Sequence, residues 1–155
     1  MNSLFTTDIQ HTQDNRCMRI ETSLGKDALL LRRLRATEGF SQLFNIEVDL
    51  LSYEENIKAD AIVGEHAAIF IGNDGYEPRF LNGFVKSFVY TGLERRGLYG
   101  YKAELVPWLW FLDKRTNCRV FQNQTVQQII EFILKELGFN DFLFSLGEAH
   151  APLEY

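Results

Sequence analysis

The side chains able to do chemistry are scattered along this 155-residue chain. His11, His66 and His150 stand alone, with no second histidine one helical turn away and no Cys-x-x-Cys pair. A structural zinc site needs four converging nitrogen and sulfur ligands, and that spacing is missing. Ser41, Ser87 and Ser145 lack a Gly-x-Ser-x-Gly frame and a histidine nearby in sequence, so a triad from distant residues is neither supported nor excluded. Glu54-Glu55 and Asp113 have the chemistry of a general acid and base, but among 21 Asp and Glu residues such neighbours arise freely and read as solvated surface. Trp108 and Trp110 have rings that stack on sugars or bases; lying between a strand and a short helix, they read as core. Gly25-Lys26 is like the end of a phosphate loop without its upstream glycine or following Ser/Thr. Arg32, Arg33 and Arg35 fit an anion site, a solvated sheet face, or partners for carboxylates on a neighbouring subunit. No catalytic, cofactor-binding or metal-binding residue is assigned. The chemistry points to a binding or assembly domain and not to an enzyme.

The elements that hold these residues follow from composition and period. The chain is 46% hydrophobic and 14% aromatic, with 13 Phe, which describes a folded, sheet-rich protein. A net charge of −5 opposes a sequence-independent grip on nucleic acid. Cys17 and Cys118, with no basic and apolar export signal at the N-terminus, read as reduced thiols. No run approaches the ~20 apolar residues that span a bilayer.

Residues 17–22 alternate weakly, and Ser23-Leu24-Gly25-Lys26-Asp27 reads as a turn. A second strand covers residues 29–36. Phe44, Ile46, Val48 and Leu50 then alternate cleanly with Asn45, Glu47 and Asp49, which commits one face to a core. Ile57, Ala61 and Ile62 suggest one helical turn or two before Gly64. A short strand at 67–71 leads to a hairpin turn, Gly72-Asn73-Asp74-Gly75. Residues 79–90 form the longest strand. A strict period of two sends Phe80, Phe84, Phe88 and Tyr90 one way and Leu81, Val85 and Val89 the other. Both faces are then partly apolar, so the outer one should meet another layer or subunit. Gly83 invites a bulge or bend. Residues 99–105 alternate again until Pro107, which starts a short helical turn.

Thr125-Val126-Gln127-Gln128 fits a capping box. Val126, Ile129, Ile130, Ile133, Leu134 and Leu137 follow at helical spacing, expected to be buried together, and Gly138 stands where a left-handed C′ residue is wanted. The sum is a mainly β (α+β) chain: an antiparallel barrel-like domain with one amphipathic helix near the C-terminal end. The expected division is a flexible N-terminus (1–16), the barrel (17–123), and a helix with the start of an incomplete second part (124–155).

The order of features has a further meaning. The series Leu30-x-x-x-Leu34-x-x-x-Glu38-Gly39-Phe40-Ser41-Gln42-Leu43-Phe44, Arg79-Phe80-Leu81-Asn82-Gly83-Phe84-Val85, Leu105-x-Pro107-Trp108-Leu109-Trp110-x-Leu112 and Cys118-Arg119-Val120-Phe121-Gln122-Asn123-Gln124-Thr125-Val126-x-x-Ile129-Ile130 resembles the N-terminal region of the VgrG family. These are the trimeric spike proteins of type VI secretion systems. The resemblance covers residues 17–142 and is most specific over 107–130. It implies a phage tail hub-like fold that closes into a trimeric ring with pseudo-sixfold character and docks on the Hcp tube, with baseplate and effector proteins as further partners and no cofactor. It implies assembly in the bacterial cytoplasm, then secretion by the type VI system without a signal peptide. The spike and any effector domain would lie beyond Tyr155 and do not carry over. Three alternatives compete: the hub of a contractile phage tail, a glycosidase with paired carboxylates beside Trp108 and Trp110, and a single-strand nucleic-acid barrel using Arg32, Arg33 and Arg35.

Overall fold

Alternation does commit the chain to strands, and six form in the computed structural model, which describes residues 11–72, 77–148 and 150–154. They are β1 (Met18–Thr22), β2 (Leu30–Thr37), β3 (Asn45–Ser52), β4 (His66–Ile71), β5 (Arg79–Leu93) and β6 (Tyr99–Val106). All neighbours pair antiparallel, in the order β1-β4-β5-β6-β3-β2. The inward residues make one core: Ile46, Val48 and Leu50 from β3 meet Tyr101, Ala103 and Leu105 from β6, Leu81, Val85 and Phe88 from β5, and Ile69 from β4. Each such aliphatic side chain contributes ~1.5–3 kcal/mol of transfer free energy. Of the one or two helical turns expected before Gly64, one short 3-10 turn forms, Ala59–Ala61. Of the expected hairpin turn, Asn73, Asp74 and Gly75 lie outside the described residues.

Three register shifts, two in β5 and one in β2, correct the simple period. In β5 the register shifts between Val85 and Ser87, leaving Lys86 extra. A strand that gains one residue turns every later side chain over. Phe88 therefore joins Leu81 and Val85 inside, 8% exposed, instead of lying with Phe80 and Phe84. Gly83, where a bulge was expected, pairs in regular register with Ala67. A Cβ there would lie 3.1 Å from the Val106 carbonyl oxygen and 3.2 Å from the Leu105 Cβ, so its smallness serves a close approach. In β2 the register shifts around Arg32. Leu30 and Leu31 are consequently both buried, and Arg32 and Arg33 both exposed.

The sheet curves until its edge strands, β1 and β2, come side by side. No backbone ladder joins them; a side chain does. The Gln13 amide donates to the Ile20 carbonyl (3.2 Å) and the Leu29 carbonyl (3.0 Å). Its oxygen accepts from the Ile20 N–H (3.1 Å) and the Leu31 N–H (2.9 Å). Gln13 is 3% exposed. For the described residues 11–16, this fixed packing replaces the loose surface segment expected from their polarity.

The chain divides into two compact units between Trp110 and Phe111. In the second unit, α1 (Val126–Glu136) starts at the expected capping box. The Gln128 N–H donates to Thr125 Oγ1 (3.2 Å) and the Thr125 N–H to Gln128 Oε1 (2.8 Å). It ends in a Schellman motif: Gly138 N–H donates to the Lys135 carbonyl and Phe139 N–H to the Leu134 carbonyl, with Gly138 at φ 83°. Of the six apolar positions expected to be buried, only Leu134 is; Val126 and Ile130 are 46% and 41% exposed.

A candidate assembly surface

The outer face of the first unit has two halves. Over β2, β3 and β6 it is charged. Arg33, Asp49 and Lys102 stand opposite one another across three strands, as do Arg35, Glu47 and Glu104. Arg33 pairs with Asp49 (3.4 Å), Lys86 with Glu104 (2.6 Å), and the bulged Arg32 with Glu94 (2.8 Å). Arg32 and Arg33 thus have partners within this chain. Such exposed pairs contribute little, ~0.2–1 kcal/mol each.

Over β1, β4 and β5 the same face is aromatic. Arg19, Phe70 and Phe80 form a row across the three strands. The Arg19 guanidinium lies 3.6 Å from the Phe70 ring centroid, and Phe70 meets Phe80 edge-on at 5.3 Å. Four residues along the same strands, His66 packs edge-on against Phe84. Further along this face of β5, Val89 is 57% exposed, as is Phe80, whereas a second register shift between Tyr90 and Gly92 sets Leu93 opposite Tyr99 on the inner side. An ion pair between Glu38 and Arg79 ties the β2–β3 loop to the start of β5. That loop holds Phe40 fully in solvent. The long strand is therefore apolar on both sides, and among the described residues of the first unit nothing covers Phe80 and Val89 on its outer side.

The residues considered for chemistry do not converge. Glu54 and Glu55 are exposed, and their backbone carbonyls receive the Tyr101 hydroxyl. Asp113 pairs with its neighbour Lys114. Trp108 and Trp110 are half-buried instead of core, with Lys86 Nζ 5.8 Å from the Trp110 ring. Glu54 lines a cleft of about 490 Å³ together with Asp27, and neither tryptophan reaches it. Asp27 is committed to structure there, accepting from Thr12 Oγ1 (2.8 Å) and the Gln13 N–H (3.0 Å). Partial burial pushes its carboxyl up, but these bonds and Lys26 outweigh that and hold it below the usual range. Gly25-Lys26 forms a turn whose lysine pairs with Asp14. Cys17 and Cys118 are both free and exposed. Among the described residues no three His, Cys, Asp or Glu cluster to hold a metal, and no helix is long and apolar enough to cross a membrane.

In the second unit, Arg119 grips Glu136 through both terminal guanidinium nitrogens, Nη1 and Nη2. That contact first, then its charge, holds the Glu136 carboxyl below the usual range. Exposed apolar groups recur here: Val120, Val126, Ile130 and Phe132. The Gln124 side-chain oxygen is buried without a hydrogen bond.

The chain thus presents an antiparallel, strongly curved sheet with apolar side chains exposed on its outer face. The family profile described as phage tail baseplate hub (GPD) matches residues 37–155. The chain belongs to that family, one of structural hub and spike proteins. Within it the chain is a homologue of VgrG. It is 33% identical over 144 residues to the type VI secretion system spike protein VgrG1a of Pseudomonas aeruginosa, covering 92% of this chain and 22% of that protein. It is 35% identical over 112 residues to the spike protein VgrG3 of Vibrio cholerae, covering 72% of this chain and 11% of that one. The actin cross-linking toxin VgrG1 of Vibrio cholerae is 33% identical over 112 residues. The chain thus spans about a fifth or less of the length of these relatives. Among solved structures, the E. coli c3393 protein, a type VI secretion component similar to the T4 bacteriophage tail proteins gp27 and gp5, superposes with a TM-score of 0.62 at 22% identity over 81% of this chain and 37% of that one. That likeness confirms the hub-type β fold.

Proposed function

We propose that this chain is the base of a type VI secretion spike: it trimerises, closes a ring, and seats that ring on the Hcp tube for contractile delivery of effectors. It catalyses nothing itself. The observation that carries this reading is the exposed apolar flank of β5, with Phe80 and Val89 in water on a homologue of spike proteins. A closed ring of identical subunits covers such a flank on every copy at once. The second unit supports it. Val120, Val126, Ile130 and Phe132 leave a second set of apolar side chains exposed there. Assembly in the bacterial cytoplasm, followed by export with the spike and without a signal peptide, belongs to the same proposal.

The test uses the full-length protein that contains this region. Val126→Asp with Ile130→Asp, and separately Phe80→Asp, change exposed side chains, so each variant is expected to fold. Each should convert a trimer to monomer in sedimentation. Each should also lower Hcp in the culture medium by roughly tenfold or more, since desolvating an unpaired carboxylate exceeds ~1.4 kcal/mol. Trimers and Hcp export unchanged in both variants would refute the reading. The hub of a contractile phage tail is the second reading, carried by the family match over residues 37–155. It predicts that the same variants abolish phage particles and leave Hcp export untouched.

A further inference from the structure

The seam between β1 and β2 is closed by a device that the spike reading does not use. Gln13 has two N–H donors and one carbonyl oxygen, and all are engaged with backbone atoms of the two edges. Its carboxamide thus does for this seam what a peptide group does inside a ladder. The residues around it form a short strap with weaker holds. Thr12 and the Gln13 N–H bind Asp27, Asp14 pairs with Lys26 at 2.8 Å in solvent, and Arg16 Nη1 reaches the Leu31 carbonyl at 2.9 Å. Beyond the strap, residues 33–37 of β2 have β3 on one side and, among the described residues, no backbone partner on the other. Arg33 and Arg35 stand on their outer face.

We propose that residues 12–16 are a removable strap, and that withdrawing it opens the β1–β2 seam as an acceptor for an extended, acidic strand. Unpaired edges template added strands. With the strap in place, β2 offers only its second half. With the strap out, the full strand from Leu30 to Thr37 is free. A strand laid there sets its outward residues opposite Arg33 and Arg35, so glutamates are favoured and lysines repelled. This stands whether or not the chain serves a spike.

Hydrogen–deuterium exchange on the full chain tests the strap, and a synthetic peptide of alternating valine and glutamate tests the acceptor. In Gln13→Ala the Ile20 and Leu31 amides should exchange roughly 100-fold faster, the effect of losing several buried hydrogen bonds. The amides of Ala103 and Leu105 at the centre of the sheet should keep their protection. The variant should bind the valine–glutamate peptide more tightly than the wild type, and more tightly than it binds a valine–lysine peptide. Should Gln13→Ala fail to fold, Asp27→Asn loosens only the anchor and should give a smaller rise confined to the same two amides. Seam amides that stay protected, or that change in step with Ala103 and Leu105, overturn the strap. Equal binding of the two peptides, or of peptide by wild type and variant, overturns the acidic-strand acceptor.

Discussion

Tyr101→Ala is expected to lower the unfolding free energy by about 3–5 kcal/mol, the range for deleting a buried aromatic ring. That is a large part of the ~5–15 kcal/mol a domain holds in total. Tyr101 is 1% exposed, and its ring stacks on Phe88 at 4.9 Å between planes 12° apart. Its hydroxyl does separate work. One proton is shared between the Glu54 and Glu55 carbonyls at 2.8 and 2.6 Å, and the oxygen accepts from the Ile57 N–H at 3.4 Å. The phenol therefore pins the loop after β3 to the inside of β6. Burial, first, pushes its ionisation above the usual tyrosine value, so it stays a neutral donor. Tyr101→Phe keeps the ring and strands two backbone carbonyls and an N–H, at about 1–3 kcal/mol. Urea melts of the two variants separate the contributions. Exchange at the Ile57 amide should rise in Tyr101→Phe even where the rest of the sheet is unchanged. A phenylalanine variant as stable as the wild type would show that the loop is held by other contacts.

What the sequence discloses about this molecule depends on how far each cause reaches along the chain. The capping box at Thr125 and Gln128 and the Gly138 terminus are closed within a few residues, and they form as written. The six strands are visible because side-chain alternation is local. The side on which Phe88 falls is not local. It depends on β6 offering one residue where β5 offers two, and no pattern within β5 records that. Gln13 is further out of reach. Its bonds go to atoms 7, 16 and 18 residues away, and they exist only after the sheet has curled shut. In sequence it is one more polar residue in a polar run. The exposed Val126 and Ile130 show the reverse error: helical spacing identifies an apolar face but does not say that this chain covers it. Family membership was readable for yet another reason, since fixed-offset residues in 107–130 record ancestry directly, without passing through packing.

The bulge at Lys86 in β5 allows two one-residue deletions with opposite outcomes. Removing Asn82 should leave no folded protein. Asn82 lies opposite Ala68, between Leu81 and Gly83, both of which face inward. Its loss slips the strand by one residue on one side of the cut. Leu81 then turns to solvent, Phe80 is driven against Ala67 and Ile69, and the Arg79 pair with Glu38 is pulled out of place. Losing one core aliphatic and forcing a ring into a filled site costs about 1.5–3 kcal/mol on each count, and the β4 register is lost as well. Removing Lys86 deletes just as much chain and should be tolerated. Val85 already stands opposite Leu105 and Ser87 opposite Glu104, so without Lys86 the two positions become consecutive and every inward residue stays inward. What goes is an exposed ion pair with Glu104, ~0.2–1 kcal/mol, together with the extra local twist. Circular dichroism and thermal melts of the two purified chains decide the matter. If both deletions unfold the protein, the twist at Lys86 is needed to curl the sheet; if both fold, the β4–β5 register is not fixed by the core. The prediction is that phase, and not length, separates them.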